Sequence, residues 1–222
     1  MIELEPLLLS FEVAALATCL ATVFGVAIAG LLAMPRVWGR EVIDAAITAP
    51  MVLPPTVLGY YLLVLLGRES AIGHGFEALT GASIVFTRGG AVVAATISAL
   101  PLISKAARAA FESVDLRLVG AARTLGASRL RAFLSISLPL ARRGILAGVM
   151  LGFARALGDF GVTLMVAGNI PGQTRTASLA IYDAVLSGRD ADATRLSLIM
   201  TALAMSVLIG VGFLTKQRQD GF

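Results

Sequence analysis

Few residues in this chain are of types suited to chemistry, and that scarcity limits what it can do. His74 is the only histidine and Cys19 the only cysteine. A metal site built on imidazole or thiolate needs several such ligands, so no metal ligand is assigned. One cysteine cannot form an intrachain disulfide. The only lysines are Lys105 and Lys216, and neither follows a glycine. A phosphate-binding loop needs a Gly-Lys pair so that backbone amides and an ammonium hold the phosphates. The chain therefore offers no catalytic residues and no ATP site of its own. One opposite-charge pair stands inside an apolar run, Arg155 and Asp159 in FARALGDFGVTLMV (153–166). At a spacing of four the two can share one helix face. They are read in two ways: as a mutually neutralising pair between helices, or with Arg155 helping an anion pass. A bare cation in a low-dielectric path would hold a dianion too tightly, which favours the pair. A transporter driven by an ion gradient calls for a relay of titratable groups inside its spans. Asp159 is the only such group here, and this weighs against a stand-alone secondary transporter.

These residues sit in elements that a membrane must hold. The 222 residues are 57% hydrophobic and only 14% charged, with mean hydropathy +0.87, where soluble domains are about one quarter charged. A span needs about 20 mostly apolar residues. Five segments qualify, at about residues 10–34, 43–67, 84–108, 143–168 and 195–215, the third reaching back past Arg88 to Ile84. The expectation is an all-α membrane protein, a single transmembrane domain over residues 1–222 with a cytoplasmic loop at about 112–140. The N-terminal stretch carries Glu3, Glu5 and Glu12 but no basic residue, so a cleaved signal peptide is not expected. With the N-terminus outside, twelve Lys and Arg fall on inner segments, among them Arg36, Arg40, Lys105, Arg108 and Arg218, and five on outer ones. The positive-inside rule then places the C-terminus in the cytoplasm of a multi-pass plasma-membrane protein. The same distribution assigns the net charge of +4 to topology and lipid headgroups rather than to nucleic acid.

The longest inner connection is RLVGAARTLGASRLRAFLSISLPLARR (117–143), with six arginines. Leu118, Ala122 and Leu125 recur at helical spacing. Gly126 suits a left-handed cap, and Ser128 suits the start of a second helix. That helix places Leu130, Phe133, Leu134 and Ser137 on one face, and Pro139 ends or kinks it. Lipid and a protein partner are equally good occupants for such a surface.

Prolines and glycines mark two further places. Pro54 and Pro55 interrupt the second span and free backbone carbonyls, which is tolerated where helices pack closely or line a cavity. Thr56 and Gly59 follow in a small, mildly polar strip. Gly158-Asp159-Phe160-Gly161 with Thr163 forms a second such patch. The strips read as packing kinks or as parts of a gate. Gly168-Asn169-Ile170-Pro171-Gly172 is a turn at the outer mouth, followed by Gln173, Thr174, Arg175 and Thr176. A short outer helix over Ala177–Leu186 would share Leu179, Tyr182 and Leu186 on one face.

GAARTLGASRLRAFLSISLP resembles the "EAA" loop of ABC importer permeases: Ala121-Ala122, three residues, Gly126, nine residues, then Ile136-Ser137-Leu138-Pro139. Gly120 stands where that pattern has glutamate. APMVLPPTVLGYYLLVLLGR (49–68) and FARALGDFGVTLMVAGNIPGQTRTASLAIYDAV (153–185) look like the molybdate branch, and sulfate/thiosulfate and tungstate permeases share a similar Gly-Asn-x-Pro-Gly element. The resemblance implies the type I importer permease fold and a homodimer of this chain. It further implies a cytoplasmic ATPase dimer that binds ATP and Mg, and an extracytoplasmic oxyanion-binding protein. It implies a coupling helix at about Leu116–Leu125, with ATPase coupling through Gly120, Ala121, Ala122, Arg123, Thr124, Leu125, Gly126 and Pro139. Pro54, Pro55, Thr56, Gly59, Arg155, Asp159 and Thr163 would line the path or gate. Asn169, Pro171, Gln173 and Arg175 would meet the binding protein.

Overall fold

In the computed structural model, residues 4–34 and 38–216 are described; Arg36 and Arg218, counted above for topology, lie outside them. No strand occurs among the described residues. Three long helices form the core: α1 (Leu4–Leu32), α5 (Arg88–Glu112) and α8 (Leu138–Leu157). At 1.5 Å per residue, α1 is about 43 Å long and α5 about 37 Å, and each is long and apolar enough to cross a membrane. Their packing rests on small side chains. Ala14, Ala17 and Ala21 of α1 meet Ala91, Ala95, Ala99 and Ile103 of α5 in one buried cluster. On α8, glycines recur every fourth residue. A Cβ added at Gly144, Gly148 or Gly152 would lie 2.5–2.6 Å from Ala110, Ala106 or Ile103 of α5. Small residues at that period let two backbones approach, which substitutes for the hydrophobic drive that lipid does not supply. The threonines in this apolar setting bond backward, Thr18 Oγ1 to Ala14 O at 2.6 Å and Thr22 Oγ1 to Thr18 O at 2.7 Å.

The expected second span is two helices, α2 (Arg40–Val52) and α3 (Pro55–Leu66), bent by 116°. Pro54 and Pro55 have no N–H to give a continuing helix, and Pro55 begins α3 instead. A short helix α4 (Ala71–Thr80), absent from the sequence reading, follows; Ser70 Oγ accepts from Gly73 N at 2.8 Å and Gly81 closes it with φ 71°. The third span starts at Arg88, not at residue 84. Thr87 Oγ1 caps it by accepting from Gly90 N at 3.1 Å, and Phe86, at φ 60°, is positioned by its N–H donating to Val166 O at 2.9 Å.

The fourth span also departs from a single helix over 143–168. It begins earlier, with α7 (Arg129–Ala132) and a π-helical turn over Phe133–Ser137 that run directly into α8. Pro139 does not end it: the helix runs on from Arg129 to Leu157, and the π-helical turn over Phe133–Ser137 lies in the turn before Pro139, where its missing N–H interrupts the hydrogen-bond ladder. At the other end α8 stops at Leu157, and α9 (Gly161–Ala167) begins after Gly158-Asp159-Phe160. Two more helices follow among the described residues, α10 (Ala177–Leu186) and the long α11 (Asp190–Lys216). In α10 the buried residues are Ala177, Leu179, Ala180 and Ala184. Tyr182 and Leu186 do not join Leu179 in the core; Leu186 is 69% exposed. Between α5 and α7 lies α6 (Leu116–Thr124), which is exposed along most of its length.

α1 and α5 run parallel, so the molecule has two distinct ends. One collects Glu12, Arg88 and the loop before α10. The other collects Phe111, Val114, Phe133 and the ends of α1 and α5, with α6 just beyond.

Candidate translocation and coupling site

The Arg155–Asp159 pair forms, but not along one helix. Arg155 is in the last turn of α8 and Asp159 lies beyond its end. Asp159 sits at mid-depth, because its partner Ser98 is the eleventh residue of α5, about 15 Å from that helix's start. The carboxylate is 1% exposed and accepts four hydrogen bonds. Arg155 Nη1 and Ser98 Oγ donate to Oδ1, each at 3.0 Å; Thr163 N at 3.0 Å and Thr163 Oγ1 at 2.7 Å donate to Oδ2. Two of these come from the first turn of α9, so Asp159 satisfies backbone donors that a helix start leaves open. A buried charge is tolerable when paired and bonded in this way. Arg155 is less enclosed, at 36% exposure, so one cation reaches the surface of the broken region while its counter-ion stays inside. Ser98 was not among the residues singled out from sequence; it stands 61 positions from Asp159.

The two strips containing Pro55 and Gly59, and Gly161 and Thr163, meet. A Cβ at Gly161 would lie 2.8 Å from Pro55 Cβ, and one at Gly59 would lie 2.7 Å from Met165 Cβ. α3 and α9 thus pack backbone to backbone, and each follows a break. Pro54, Pro55 and Thr56 are exposed and Gly59 and Thr163 buried. The strip therefore presents its proline corner to the surroundings and its glycine to the packing.

The loop over residues 168–176 is held together by residues expected to meet the binding protein. Arg175 Nε donates to Asn169 Oδ1 at 3.0 Å and its guanidinium pairs with Asp183 at 3.4 Å. Thr174, fully buried, accepts from Ile170 N at 3.0 Å. Arg88 grips the loop from α5, its Nε donating to Gln173 O at 3.1 Å and Nη2 to Gly172 O at 3.0 Å. Ser10 of α1 accepts from Ala177 N at 2.7 Å, capping α10 from another helix. Pro171 and Gln173 remain on the surface.

At the opposite end α6 matches the expected short helix. Asp115 Oδ1 accepts from Arg117 N at 2.8 Å to start it, and Gly126, at φ 89°, turns the chain after it. Ser128 Oγ then accepts from Arg131 N at 3.2 Å to start α7. No residue of α6 is buried; Leu116, Leu118, Leu125 and Leu130 are exposed beside Arg117, Arg123 and Arg129. Gly120 has nothing within 4 Å of where a Cβ would be, so this face is open.

Among the described residues every regular element is helical, four helices, or five counting the bent pair, are long and apolar enough to span a membrane, and an exposed helix–glycine–helix knob projects from one end: this is the fold of type I ABC importer permeases. The solved inward-facing MetNI methionine ABC transporter matches it with TM-score 0.75 at 14% identity, over 97% of this chain and 95% of that one. A bacterial alginate ABC transporter in complex with an alginate-bound periplasmic protein matches equally, TM-score 0.75 at 14% identity, over 98% and 79%. The chain belongs to the family of binding-protein-dependent transport system inner membrane components, which it matches over residues 21–220. Among its relatives is the molybdenum transport system permease protein ModB of Escherichia coli K12, 43% identical over 208 residues, 93% of this chain and 91% of that one. The ModB of Haemophilus influenzae is 39% identical over 98% and 95%, and a probable sulfate transport system permease protein of Chlorokybus atmophyticus is 34% identical over 98% and 78%.

Proposed function

We propose that this chain is the membrane subunit of an ATP-driven importer of a tetrahedral oxyanion, with molybdate as the substrate. The observation that carries the substrate is the likeness, over nearly the whole chain, to permeases named for molybdenum transport, at 43% and 39% identity. A sulfate reading has the 34% relative in its favour. Molybdate, tungstate and sulfate share charge and shape, so selection among them belongs mainly to a binding protein that delivers the anion.

In this reading two copies of the chain enclose the path, with the N-terminus outside and the C-terminus in the cytoplasm. A pair of ATPases in the cytoplasm seats α6 of each copy. The exposed leucines of α6 supply apolar contact, and Arg117 and Arg123 supply charge. ATP binding draws the ATPases together and opens the path outward; hydrolysis resets it inward. The α3–α9 contact, with Pro54, Pro55, Thr56, Gly59, Asp159 and Thr163, forms part of the gate. Arg155, held in place by Asp159, gives a passing dianion an attraction moderated by its partner rather than a trap. Pro171 and Gln173 face the binding protein, with Asn169 and Arg175 holding the loop that presents them. No chemistry on the anion is required of this chain.

The test is ATPase stimulation. The purified chain with its ATPase, in lipid nanodiscs, is mixed with its binding protein loaded with molybdate, tungstate or sulfate. The reading predicts stimulation by the molybdate-loaded protein. Stimulation by the sulfate-loaded protein alone would assign the sulfate reading, and no stimulation by any would reject both.

A further inference from the structure

A chain of five alternating charges joins α2 to α5 at the end of the molecule that carries α6. Lys105 Nζ lies 2.6 Å from Asp44 Oδ2, and Arg108 Nη1 lies 2.9 Å from Asp44 Oδ1. Arg108 Nε continues to Glu112 Oε1 at 2.9 Å, and Arg40 Nη2 reaches the same oxygen at 2.5 Å. Three of the four links cross between the two helices. In the sequence Arg40, Lys105 and Arg108 counted only toward topology and Asp44 and Glu112 were not singled out, yet each helix sets its members on one face by spacing: Arg40 and Asp44 on α2; Lys105, Arg108 and Glu112 on α5.

This chain of charges matters because α2 has little else within the protomer. None of its residues is buried, and Val42, Ile43, Met51 and Val52 are exposed. An isolated exposed pair contributes little, but here Arg108 is 21% and Asp44 25% exposed, and each serves two partners. The two ends of the link are also distinctive. α2 leads through Leu53 into the bent pair and so to α3, which packs on α9. Glu112 is the last residue of α5, and only Ser113, Val114 and Asp115 separate it from α6. Phe111 and Val114 anchor that corner in the core.

We propose that the Lys105–Asp44–Arg108–Glu112–Arg40 chain is the coupling strut of the transporter. It makes α2 and the end of α5 move as one body, so that displacement of α6 reaches the α2–α3 bend. This rests on the ATP-driven reading above. Arg40, Asp44, Lys105, Arg108 and Glu112 are positioning residues: they touch neither nucleotide nor anion.

The readout is the ratio of oxyanion taken up to ATP hydrolysed by the complex in proteoliposomes, with ATP enclosed and the binding protein outside. Asp44→Asn removes the carboxylate charge shared by Lys105 and Arg108 and leaves a single neutral acceptor oxygen. The ratio is expected to fall about tenfold while basal ATPase stays within about twofold and the complex remains assembled by gel filtration. Asp44→Glu, which keeps the charge, is expected to retain most of the ratio. An assembled Asp44→Asn complex with the wild-type ratio overturns the proposal.

A second arm does not depend on that variant assembling. In a Cys19→Ser background, Asp44→Cys with Lys105→Cys breaks the link, and a short bis-maleimide then replaces it covalently. Uptake per ATP should be low before bridging and recover to within about twofold of wild type after it. Loss of transport on bridging would mean that α2 and α5 must separate during the cycle, which contradicts a strut. A wild-type complex with no ATP-dependent uptake would instead reject the transport reading on which the strut depends.

Discussion

Replacing Asp159 by alanine removes the acceptor around which the broken fourth span is organised. Four hydrogen bonds end on its carboxylate, from Arg155, Ser98, and the amide and hydroxyl of Thr163. The two hydroxyls are recoverable, because serine and threonine in helices can turn back to the carbonyl four residues earlier, as Thr18, Thr22 and Thr96 already do. The Thr163 amide and the Arg155 guanidinium are not. Loss of a helix-start acceptor costs about 1 kcal/mol. Loss of a hydrogen bond to a charged group costs about 1.5–3 kcal/mol, and the lower part of that range applies because Arg155 is one-third exposed and screened. The sum is about 3 kcal/mol, which for a chain of this length is roughly 6–12 °C in melting temperature. Asp159→Asn keeps one acceptor oxygen and should lose about half as much. Trp38 is the only tryptophan and fully exposed, so its fluorescence is a poor reporter, and far-UV circular dichroism of the purified protein in detergent is the assay. The order expected is wild type above Asn above Ala. An alanine variant melting within about 2 °C of wild type, or an asparagine variant as damaged as alanine, would refute the bookkeeping.

Other substitutions separate packing from conformation. Gly148→Val puts a branched side chain where even a Cβ would lie 2.5 Å from Ala106; it should destabilise by at least about 1–3 kcal/mol, read as lower yield of monodisperse protein and a lower melting temperature. Gly126→Val meets no neighbour within 4 Å, but φ is 89° there, a region β-branched residues strongly disfavour. It should leave the membrane core assembled and reduce ATPase stimulation; unimpaired stimulation would show that the corner is not needed. Gly120→Ala, with open space around it, should stabilise α6 by roughly 0.5–1 kcal/mol, measurable as slower amide exchange over residues 116–124. Arg88→Ala removes the grip on Gly172 and Gln173 and should speed exchange of the amides at 173–175 without shifting the melting temperature by more than about 3 °C.

Local signals in the sequence carried well, and long-range ones did not. Gly126 and Ser128 act within three residues of themselves, so the corner after α6 was legible from their types and order, while Asp115, which starts α6, was not singled out. The apolar runs marked where the long helices lie, because helix length and apolar character depend on composition alone. The breaks were harder. Pro54-Pro55 was read as an interruption, but its 116° bend depends on α3 finding α9, which lies far along the chain. Gly158-Asp159 sits in a run apolar enough to read as one span. The stop appears only when Asp159 turns to serve Thr163 and Ser98. Arg175 was expected among the residues that meet a binding protein, and the structure ties it to Asn169 and Asp183. Arg40, Lys105 and Arg108 had a sufficient account as topology signals, so nothing prompted a search for their carboxylate partners.

The central claim is that this chain forms an oxyanion path driven by a separate ATPase. Its most direct test is uptake of radiolabelled molybdate into proteoliposomes holding the chain and its ATPase, with the binding protein, compared with and without ATP. The account predicts uptake only when chain, ATPase, binding protein and ATP are all present. Molybdate entry through the chain alone, or undiminished without ATP, would contradict it.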